Sequence, residues 1–283
     1  MKKVLLIITA LFWLALTINA SKFVNLTPMP KHITVAEGAY KLPESYSINA
    51  KHLPDSICVE AEKFVQTILK TTGCKARITS KKKADIEMSL DTNLPNEGYK
   101  LSVTKKKIQI SASTTSGFFY AFQTIKKIMP SHVMAGLNPE QAQAIIPTFQ
   151  TDKRPTIPCV EIYDEPRFWY RGFMLDCGRH FFTVDEIKHI LDGMAMYKMN
   201  YFHWHLTEDQ GWRFEVKKYP RLTSIGSVAS DCRMNDMEKG YYWLGKPYGP
   251  FYYTQEDCRE IVEYARSLHI EVIPEIDMPG HSA

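Results

Sequence analysis

The sequence lacks the features that mark proteins that bind nucleic acid, nucleotides or zinc. Its 35 lysines and arginines nearly balance its 31 aspartates and glutamates, so the formal net charge of +4 gives no reason to expect nucleic acid or an anionic membrane as a partner. Its six cysteines include no CxxC pair, and no glycine-rich phosphate loop stands at a strand-to-helix turn. We therefore predict no metal and no cofactor, and we expect the cysteines to be mostly buried thiols.

Long apolar runs are also scarce, because only residues 4–18 form one. This run follows Met1-Lys2-Lys3 and is succeeded by Asn19-Ala20, which is the pattern of a cleaved secretory signal over residues 1–20. A membrane anchor is the alternative, but the run is shorter than the roughly 20 residues that a spanning helix needs. We expect an exported protein, periplasmic or extracellular, with a net charge of +2 and no membrane span after cleavage.

Two helices are predicted in the segment 22–129. Apolar residues recur at helical spacing between Ser56, which is predicted to cap the first helix, and Gly73, which is predicted to end it. A second pattern of this kind occupies residues 118–128 and stops before Pro130, because proline cannot continue a helix.

A β-hairpin is predicted between these helices. Residues 99–103 and 107–112 alternate apolar and polar side chains on either side of two lysines, as the strands of an antiparallel hairpin do. Acids, histidines and cysteines do not cluster in this part of the sequence. We therefore expect residues 21–150 to form a small α+β accessory domain with a packing and orienting role.

A proline-rich linker leads into a second region, with Pro147, Pro155, Pro158 and Pro166. There, amphipathic helices alternate with three short apolar strands, at residues 172–176, 200–205 and 270–276. The run Thr183-Val-Asp-Glu186 is a capping box at the start of one helix. This rhythm predicts parallel strands, so residues 151–283 are expected to open either a doubly wound sheet or an eight-stranded barrel.

Polar residues follow each of the three predicted strands. The carboxyl ends of parallel strands share one rim, so these residues are expected to lie together. Acids that accept hydrogen bonds from hydroxyl groups, next to an aromatic ring, suit a sugar ligand. The residues are Asp176, Arg179 and His180, then His205, Glu208, Asp209 and Trp212, then Glu275, Asp277 and His281.

Each of these residues also has an ordinary structural explanation. His203 and His205 share one face of a strand and are candidate metal ligands, although no further histidines or cysteines complete a tetrahedral zinc site. Arg171 is a candidate partner for a neighbouring acid. Asp277 and His281 are candidates to cap a following helix.

Taken together, three motifs resemble the first three strand motifs of the family 20 glycoside hydrolases, the β-N-acetylhexosaminidases. The resemblance extends to the segment around Glu97 and Ser116, which is similar to the α/β domain that precedes the barrel in this family. It implies a (β/α)8 TIM barrel of which about three strands are present, after a small α+β accessory domain. The motifs are Arg171-Gly-Phe-Met-Leu-Asp-Cys-Gly-Arg-His180, His203-Trp-His-Leu-Thr-Glu-Asp-Gln-Gly-Trp-Arg213 and Glu275-Ile-Asp-Met-Pro-Gly-His-Ser282.

The resemblance implies an exo-acting enzyme that removes terminal non-reducing N-acetylhexosamine residues, GlcNAc or GalNAc, from glycans. In this family the 2-acetamido oxygen of the substrate attacks the anomeric carbon, so the reaction retains configuration and needs no protein nucleophile. The expected partner is therefore a glycan with a terminal N-acetylhexosamine.

The resemblance also implies roles for single residues. Arg171 is expected to bind hydroxyl groups of the terminal sugar, and Glu208, Asp209, Asp277 and His281 are expected to support the catalytic acid. Many relatives have Asp-Asp where this sequence has Glu208-Asp209. The catalytic Asp-Glu pair itself is expected beyond Ala283, so a polypeptide limited to these residues is expected to show no hydrolysis.

Two other functions remain open at this stage. One is a glycan-binding protein, or an inactive fragment, without catalytic activity, and the other is a barrel hydrolase of different specificity, such as one that releases a disaccharide. The long aromatic loop 230–253 is expected either to wall the site and contact the substrate beyond the terminal sugar, or to pack on the barrel surface.

Overall fold

A computed structural model of the protein describes residues 26–147, 154–236, 238 and 240–281, without the side chains of 233–236. The predicted signal at residues 1–20 lies outside the described residues. The chain divides into two compact units between Pro166 and Arg167. Within the described ranges, no helix is both long enough and apolar enough to cross a bilayer.

A seven-stranded sheet forms the first unit. Its strands are β1 His32–Lys41, β2 Ser45–Ile48, β3 Lys75–Ile78, β4 Ile86–Leu90, β5 Tyr99–Val103, β6 Ile108–Ala112 and β7 Thr156–Asp164. They lie in the order β1-β7-β5-β6-β4-β2-β3. The predicted hairpin of β5 and β6 is confirmed, and Leu101 and Ile110 face each other in its buried register.

Two long helices pack on each other beside this sheet. The helices of the unit are α1 Asp55–Thr72, α2 Thr115–Ile128, α3 Ser131–Met134 and α4 Pro139–Ile145. The rings of Phe64 and Phe122 stack with centroids 4.5 Å apart between α1 and α2. The predicted end of α1 is confirmed, because Gly73 takes a left-handed φ of 77° that favours glycine.

Two predictions for the first unit are wrong in detail. Helix α1 begins at Asp55, and Pro54 at the N-cap has no side-chain acceptor, so the helix has no side-chain cap; Ser56 lies within the helix. The predicted linker contains strand β7, in which Pro158 pairs with Ala39 where the register of β1 shifts. Such an irregularity tolerates a residue without an N–H group. The strand explains why the two units divide after residue 166 rather than at 150.

Three parallel strands form the centre of the second unit. They are β8 Gly172–Asp176, β9 Tyr201–His205 and β14 Glu271–Glu275, in the order β14-β9-β8. The helices are α5 Val184–Met196, α6 Arg221–Ser224 and α7 Gln255–Ser267. Thr183 and Glu186 form the predicted capping box of α5. The strands pair in parallel and alternate with α5 and α7, so the predicted alternation is confirmed. Leu175, Phe202 and Trp204 are buried.

Two short antiparallel hairpins lie between β9 and α7. The first joins β10 Thr207–Glu208 to β11 Gly211–Trp212, and the second joins β12 Arg233–Asp236 to β13 Gly240–Trp243. The first hairpin follows β9 after a single residue, so it stands at the carboxyl end of the parallel sheet.

Candidate active site

The three parallel strands end in register, and each presents a polar side chain there. Asp176 is the register partner of His205, and His205 is the register partner of Glu275. Register partners on neighbouring strands point to the same face about 4.8 Å apart. The structure thus brings these strand-end residues into one row, as the sequence predicts.

Glu208 lies beside this row in the β10–β11 hairpin, and only 1% of its side chain is exposed. Its Oε1 accepts a hydrogen bond from Nη2 of Arg179 and lies 2.7 Å from Nδ1 of His281. A Cβ atom at Gly178 would lie 2.7 Å from Cβ of Glu208, so glycine is required at this close approach. A buried carboxylate held by a guanidinium and an imidazole is therefore the centre of the candidate site.

Arg179 connects Glu208 to the end of β8. Its main-chain N–H donates to Oδ1 of Asp176 at 3.0 Å, and its Nη1 donates to Oδ2 of the same carboxylate. Burial raises the pKa of Asp176, but these hydrogen bonds outweigh burial and hold that pKa below its usual range. The hydrogen bond to Asp176 likewise raises the pKa of Arg179. The site therefore contains a fixed cation between two carboxylates.

Glu275 is held by two histidines. Its Oε2 lies 2.5 Å from Nε2 of His203 and 3.0 Å from Nδ1 of His205. Burial raises the pKa of Glu275, but the hydrogen bonds and charges of the two imidazoles dominate and lower it. The carboxylate form of Glu275 is therefore favoured, and it can only accept hydrogen bonds from the rings.

The structure brings the other residues that are predicted to support the catalytic acid, Asp209, Asp277 and His281, to this cluster. Asp277 Oδ2 lies 3.8 Å from Nε2 of His205, and the main-chain N–H of Asp277 donates to Oγ1 of Thr207 at 2.8 Å. Asp209 is exposed, and its main-chain N–H donates to Oε2 of Glu208 at 3.0 Å. Donor atoms of Glu208, Asp209 and His281 thus lie within 4.8 Å of one another, and those of Asp277, His205 and Glu275 form a second such group.

Arg171 lies elsewhere. It precedes β8, so the five residues of that strand separate it from the row by roughly 16 Å. Its Nε donates to the carbonyl oxygen of Lys198 at 2.7 Å, and its Nη1 donates to that of Phe168 at 2.8 Å. The structure does not bring Arg171 to the candidate site, and Arg179, from the same sequence motif, stands there instead.

Sequence reasoning did not single out Arg213, which is completely buried. Its guanidinium donates to five main-chain carbonyl groups of the surrounding loops, those of Cys177, Gly178, Gln210, Ser227 and Phe251, at 2.8–3.3 Å. Burial lowers the pKa of Arg213. An arginine directly after a Gly-Trp pair is the only sequence signal, and it does not distinguish burial from exposure.

Two groups of described residues have donor atoms close enough for a metal ion. They are His205 with Glu275 and Asp277, and Glu208 with Asp209 and His281, each within 4.8 Å. The charge of Arg179 on Glu208 opposes a second cation at the same carboxylate. The prediction that no metal is bound stays a prediction. The six cysteines are free thiols and four are buried, as predicted.

The aromatic residues of the loop 230–253 include rings that stack on other rings and rings that are exposed. Tyr248 stacks on His180, and Tyr253 stacks on Phe181, so these rings pack against the loop that carries Arg179. Tyr241 and Trp243 lie two residues apart on β13 and are 69% and 67% exposed. Tyr248 and Tyr253 therefore pack against the loop that carries Arg179, and packing on the barrel surface and contact with a substrate both stay predictions.

Two family models match this chain. The model for "Glycosyl hydrolase family 20, domain 2" matches residues 24–165, and the model for "Glycosyl hydrolase family 20, catalytic domain" matches residues 168–283. The beta-hexosaminidase of Porphyromonas gingivalis is 39% identical over 274 residues, which cover 92% of this chain and 31% of that protein. The N,N'-diacetylchitobiase of Vibrio harveyi is 31% identical and covers 91% of this chain and 27% of that protein.

Solved structures of the family are also similar to this chain. The N-acetyl-beta-hexosaminidase of Streptomyces plicatus in complex with Thio-NAglucal has a TM-score of 0.74 and 30% identity, over 90% of this chain and 46% of that one. The exo beta-N-acetylglucosaminidase of Vibrio harveyi in complex with N-acetylglucosamine has a TM-score of 0.73 and 31% identity, over 90% of this chain and 36% of that one. The chain thus spans less than half of the length of these relatives.

These findings confirm the predicted fold class, a TIM barrel represented by its first strands and preceded by an α+β accessory domain. Only residues 166 and 167 lie between the two matched ranges, and the structure divides into its two units between these residues. Since they account for nearly all of residues 24–283, the chain belongs to glycosyl hydrolase family 20.

Proposed function

We propose that the protein to which these residues belong is a β-N-acetylhexosaminidase that removes terminal non-reducing GlcNAc or GalNAc from glycans. The observation that carries the proposal is the buried carboxylate of Glu208, held between Arg179 and His281 at the carboxyl end of the parallel strands. Related proteins named beta-hexosaminidase and N,N'-diacetylchitobiase support the same substrate class.

The proposed mechanism is substrate-assisted. The 2-acetamido oxygen of the sugar attacks the anomeric carbon, and a carboxylic acid donates a proton to the leaving oxygen, so configuration is retained. In this proposal an Asp-Glu pair supplies the general acid and the aspartate that orients the acetamido group. Glu208, Asp209, Asp277 and His281 support that acid through hydrogen bonds and charge.

Arg179 takes the sugar-binding role in this proposal in place of Arg171. Its guanidinium stands at the rim with 49% of its side chain exposed, and its orientation is fixed by Asp176 and Glu208. A rigid fork of donors suits vicinal hydroxyl groups better than a flexible ammonium group does. Tyr241 and Trp243 are assigned to the sugars beyond the one that is released, because exposed aromatic faces cover apolar ring faces.

Hydrolysis of a chromogenic N-acetylglucosaminide by the complete gene product that contains these residues tests the proposal. The Arg179→Gln variant is expected to lose about 100-fold in kcat/KM, the effect of removing a charged hydrogen bond of about 3 kcal/mol. Arg171→Gln, a change of the same chemistry at the other end of β8, is expected to retain the wild-type value.

Two other results would each refute a part of this proposal. Equal losses in both arginine variants would refute the placement of the sugar at the Arg179 rim. Binding of N-acetylglucosamine without any turnover by the wild type would refute hydrolysis and support the glycan-binding alternative.

We also propose that the protein is exported and acts in the periplasm or outside the cell. The pattern of residues 1–20 supports cleavage before Ser21. Amino-terminal sequencing of the protein recovered outside the cytoplasm is expected to begin at Ser21, and an intact Met1 in that fraction would contradict cleavage.

A further inference from the structure

His205 has one satisfied and one unsatisfied ring nitrogen. The side chain is 5% exposed at the end of β9, and Nδ1 lies 3.0 Å from Oε2 of Glu275. Nε2 is buried and has no hydrogen-bond partner among the described residues. A buried nitrogen without a hydrogen-bond partner destabilises the folded state, so it is a candidate for a functional role.

The contact with Glu275 determines which ring nitrogen of His205 lacks a hydrogen-bond partner. The carboxylate of Glu275 is itself held by His203, and it offers only acceptors. The Nδ1 atom of His205 must therefore carry a proton and donate it to Glu275. This contact sets both the orientation of the ring and the direction in which Nε2 points.

Nε2 points between two carboxylates that come from different loops. It lies 3.9 Å from Oε1 of Glu208 and 3.8 Å from Oδ2 of Asp277. Both oxygens are hydrogen-bond acceptors, so a donor at the place of Nε2 would serve both carboxylates. Contacts of this kind are often long before a substrate binds and shorten in the complex.

The other charged groups around His205 do not take over this role. At the end of β8, the carboxylate of Asp176 has no hydrogen to donate. The guanidinium of Arg179, which follows, forms ion pairs with Asp176 and Glu208. From β9, His203 contacts Glu275. His281, which follows β14, lies 2.7 Å from Oε1 of Glu208. Among these groups, only His205 reaches both Glu208 and Asp277.

We infer that His205 is a positioning residue that holds Glu208 and Asp277 in fixed relation through Nε2, with Glu275 as its orienting partner. The inference rests on the proposed function, in which those two carboxylates support the catalytic acid. The inference adds that Glu275 and His205 act as a pair that positions these two carboxylates. A misplaced supporting carboxylate weakens catalysis more than binding, because positioning acts on the transition state.

Two substitutions separate this role from a structural one. In His205→Asn, the amide nitrogen falls near the place of Nδ1 and keeps the contact with Glu275 but loses Nε2. In His205→Gln, the amide nitrogen falls near the place of Nε2 and keeps a donor toward Glu208 and Asp277. His189→Asn, at an exposed helical histidine, controls for the substitution itself.

The complete gene product is assayed with the chromogenic N-acetylglucosaminide. His205→Asn is expected to lower kcat about 10- to 100-fold with KM within about twofold, since the contact of Nε2 with the two carboxylates, which shortens in the complex, can no longer form. His205→Gln is expected to recover kcat to within about threefold of the wild type. The opposite order, with Asn milder than Gln, would mean that His205 only holds Glu275, and it would overturn the inference.

The Glu275→Gln variant tests the same inference if the His205 variants do not fold. It removes the carboxylate that orients the ring and is expected to lower kcat about tenfold, whereas kcat within about twofold of the wild type would overturn the inference. A wild type without turnover would overturn the proposed function and the inference together. An active wild type with unaffected variants would overturn the inference alone.

Discussion

Replacement of Arg213 by methionine is expected to destabilise the second unit strongly. The guanidinium is completely buried and donates to carbonyl groups of five residues in the loops that follow β8 and β9. Methionine fills a similar volume but donates no hydrogen bond, so the carbonyl groups would remain buried without their donor.

The size of the effect follows from the bonds that are lost. Four of them are 2.8–3.1 Å long, and a hydrogen bond to a charged donor contributes about 1.5–3 kcal/mol. Burial of the guanidinium charge opposes this gain by several kcal/mol, which agrees with the lowered pKa of Arg213. We therefore expect Arg213→Met to lower the free energy of unfolding by about 4 kcal/mol, or roughly 10 °C in Tm.

Thermal unfolding of the complete gene product, followed by circular dichroism, measures this loss. Arg259→Met is the matched control, because Arg259 is 60% exposed and lies 3.6 Å from an exposed Glu256; its effect is expected to stay within about 0.5 kcal/mol. A Tm of Arg213→Met within about 2 °C of the wild type would refute the argument that these bonds hold the loops.

Three further predictions concern a helix cap, a carboxylate and the exposed rings. Thr183→Ala removes one half of the capping box of α5 and is expected to lower the urea midpoint by the equivalent of about 1 kcal/mol; an unchanged midpoint would contradict the cap. Asp176 has a lowered pKa in the folded protein, so it stabilises the fold above the ordinary carboxyl pKa of about 4 and loses this effect as the pH falls below it. Asp176→Asn is thus expected to flatten the fall in stability between about pH 4 and pH 2, and parallel curves for variant and wild type would speak against it. Substitution of both Tyr241 and Trp243 by alanine is expected to reduce kcat/KM about tenfold on long glycans and little on a chromogenic monosaccharide, and equal effects on both substrates would place the rings outside the binding path.

Local signals in the sequence were sufficient for most elements of the fold. Thr183 with Glu186, and Gly73 in a left-handed conformation, act through atoms within a few residues, so their patterns identify helix ends reliably. Strand β7 was not predicted, because Pro158 within it and Pro155 and Pro166 beside it suggest a linker. Its pairing with β1 and β5 depends on residues more than 50 positions away in the chain, and no local pattern contains that information.

The candidate site was predictable to the extent that strand direction determines it. Parallel strands bring their carboxyl ends to one rim, which is enough to group Asp176, His205 and Glu275. The same rule favours Arg179 over Arg171, since only the former follows the end of β8, whereas the family resemblance had pointed to Arg171. The orphaned Nε2 of His205 depends on side-chain directions that sequence does not supply.

The Gly-Trp-Arg end of the second motif has a structural role, whereas Glu208 in the same motif belongs to the candidate site. A Cβ atom at Gly211 would lie 2.1 Å from Cζ of Arg213, so glycine is needed where the guanidinium passes. Arg213 in turn holds the carbonyl group of Gly178, next to which Glu208 packs without room for another carbon. The position of the Glu208 carboxylate thus depends on two glycines and a buried arginine, none of which is placed to touch a sugar. A motif residue in this family can therefore be essential for geometry alone, and activity measurements need stability measurements beside them to tell the two apart.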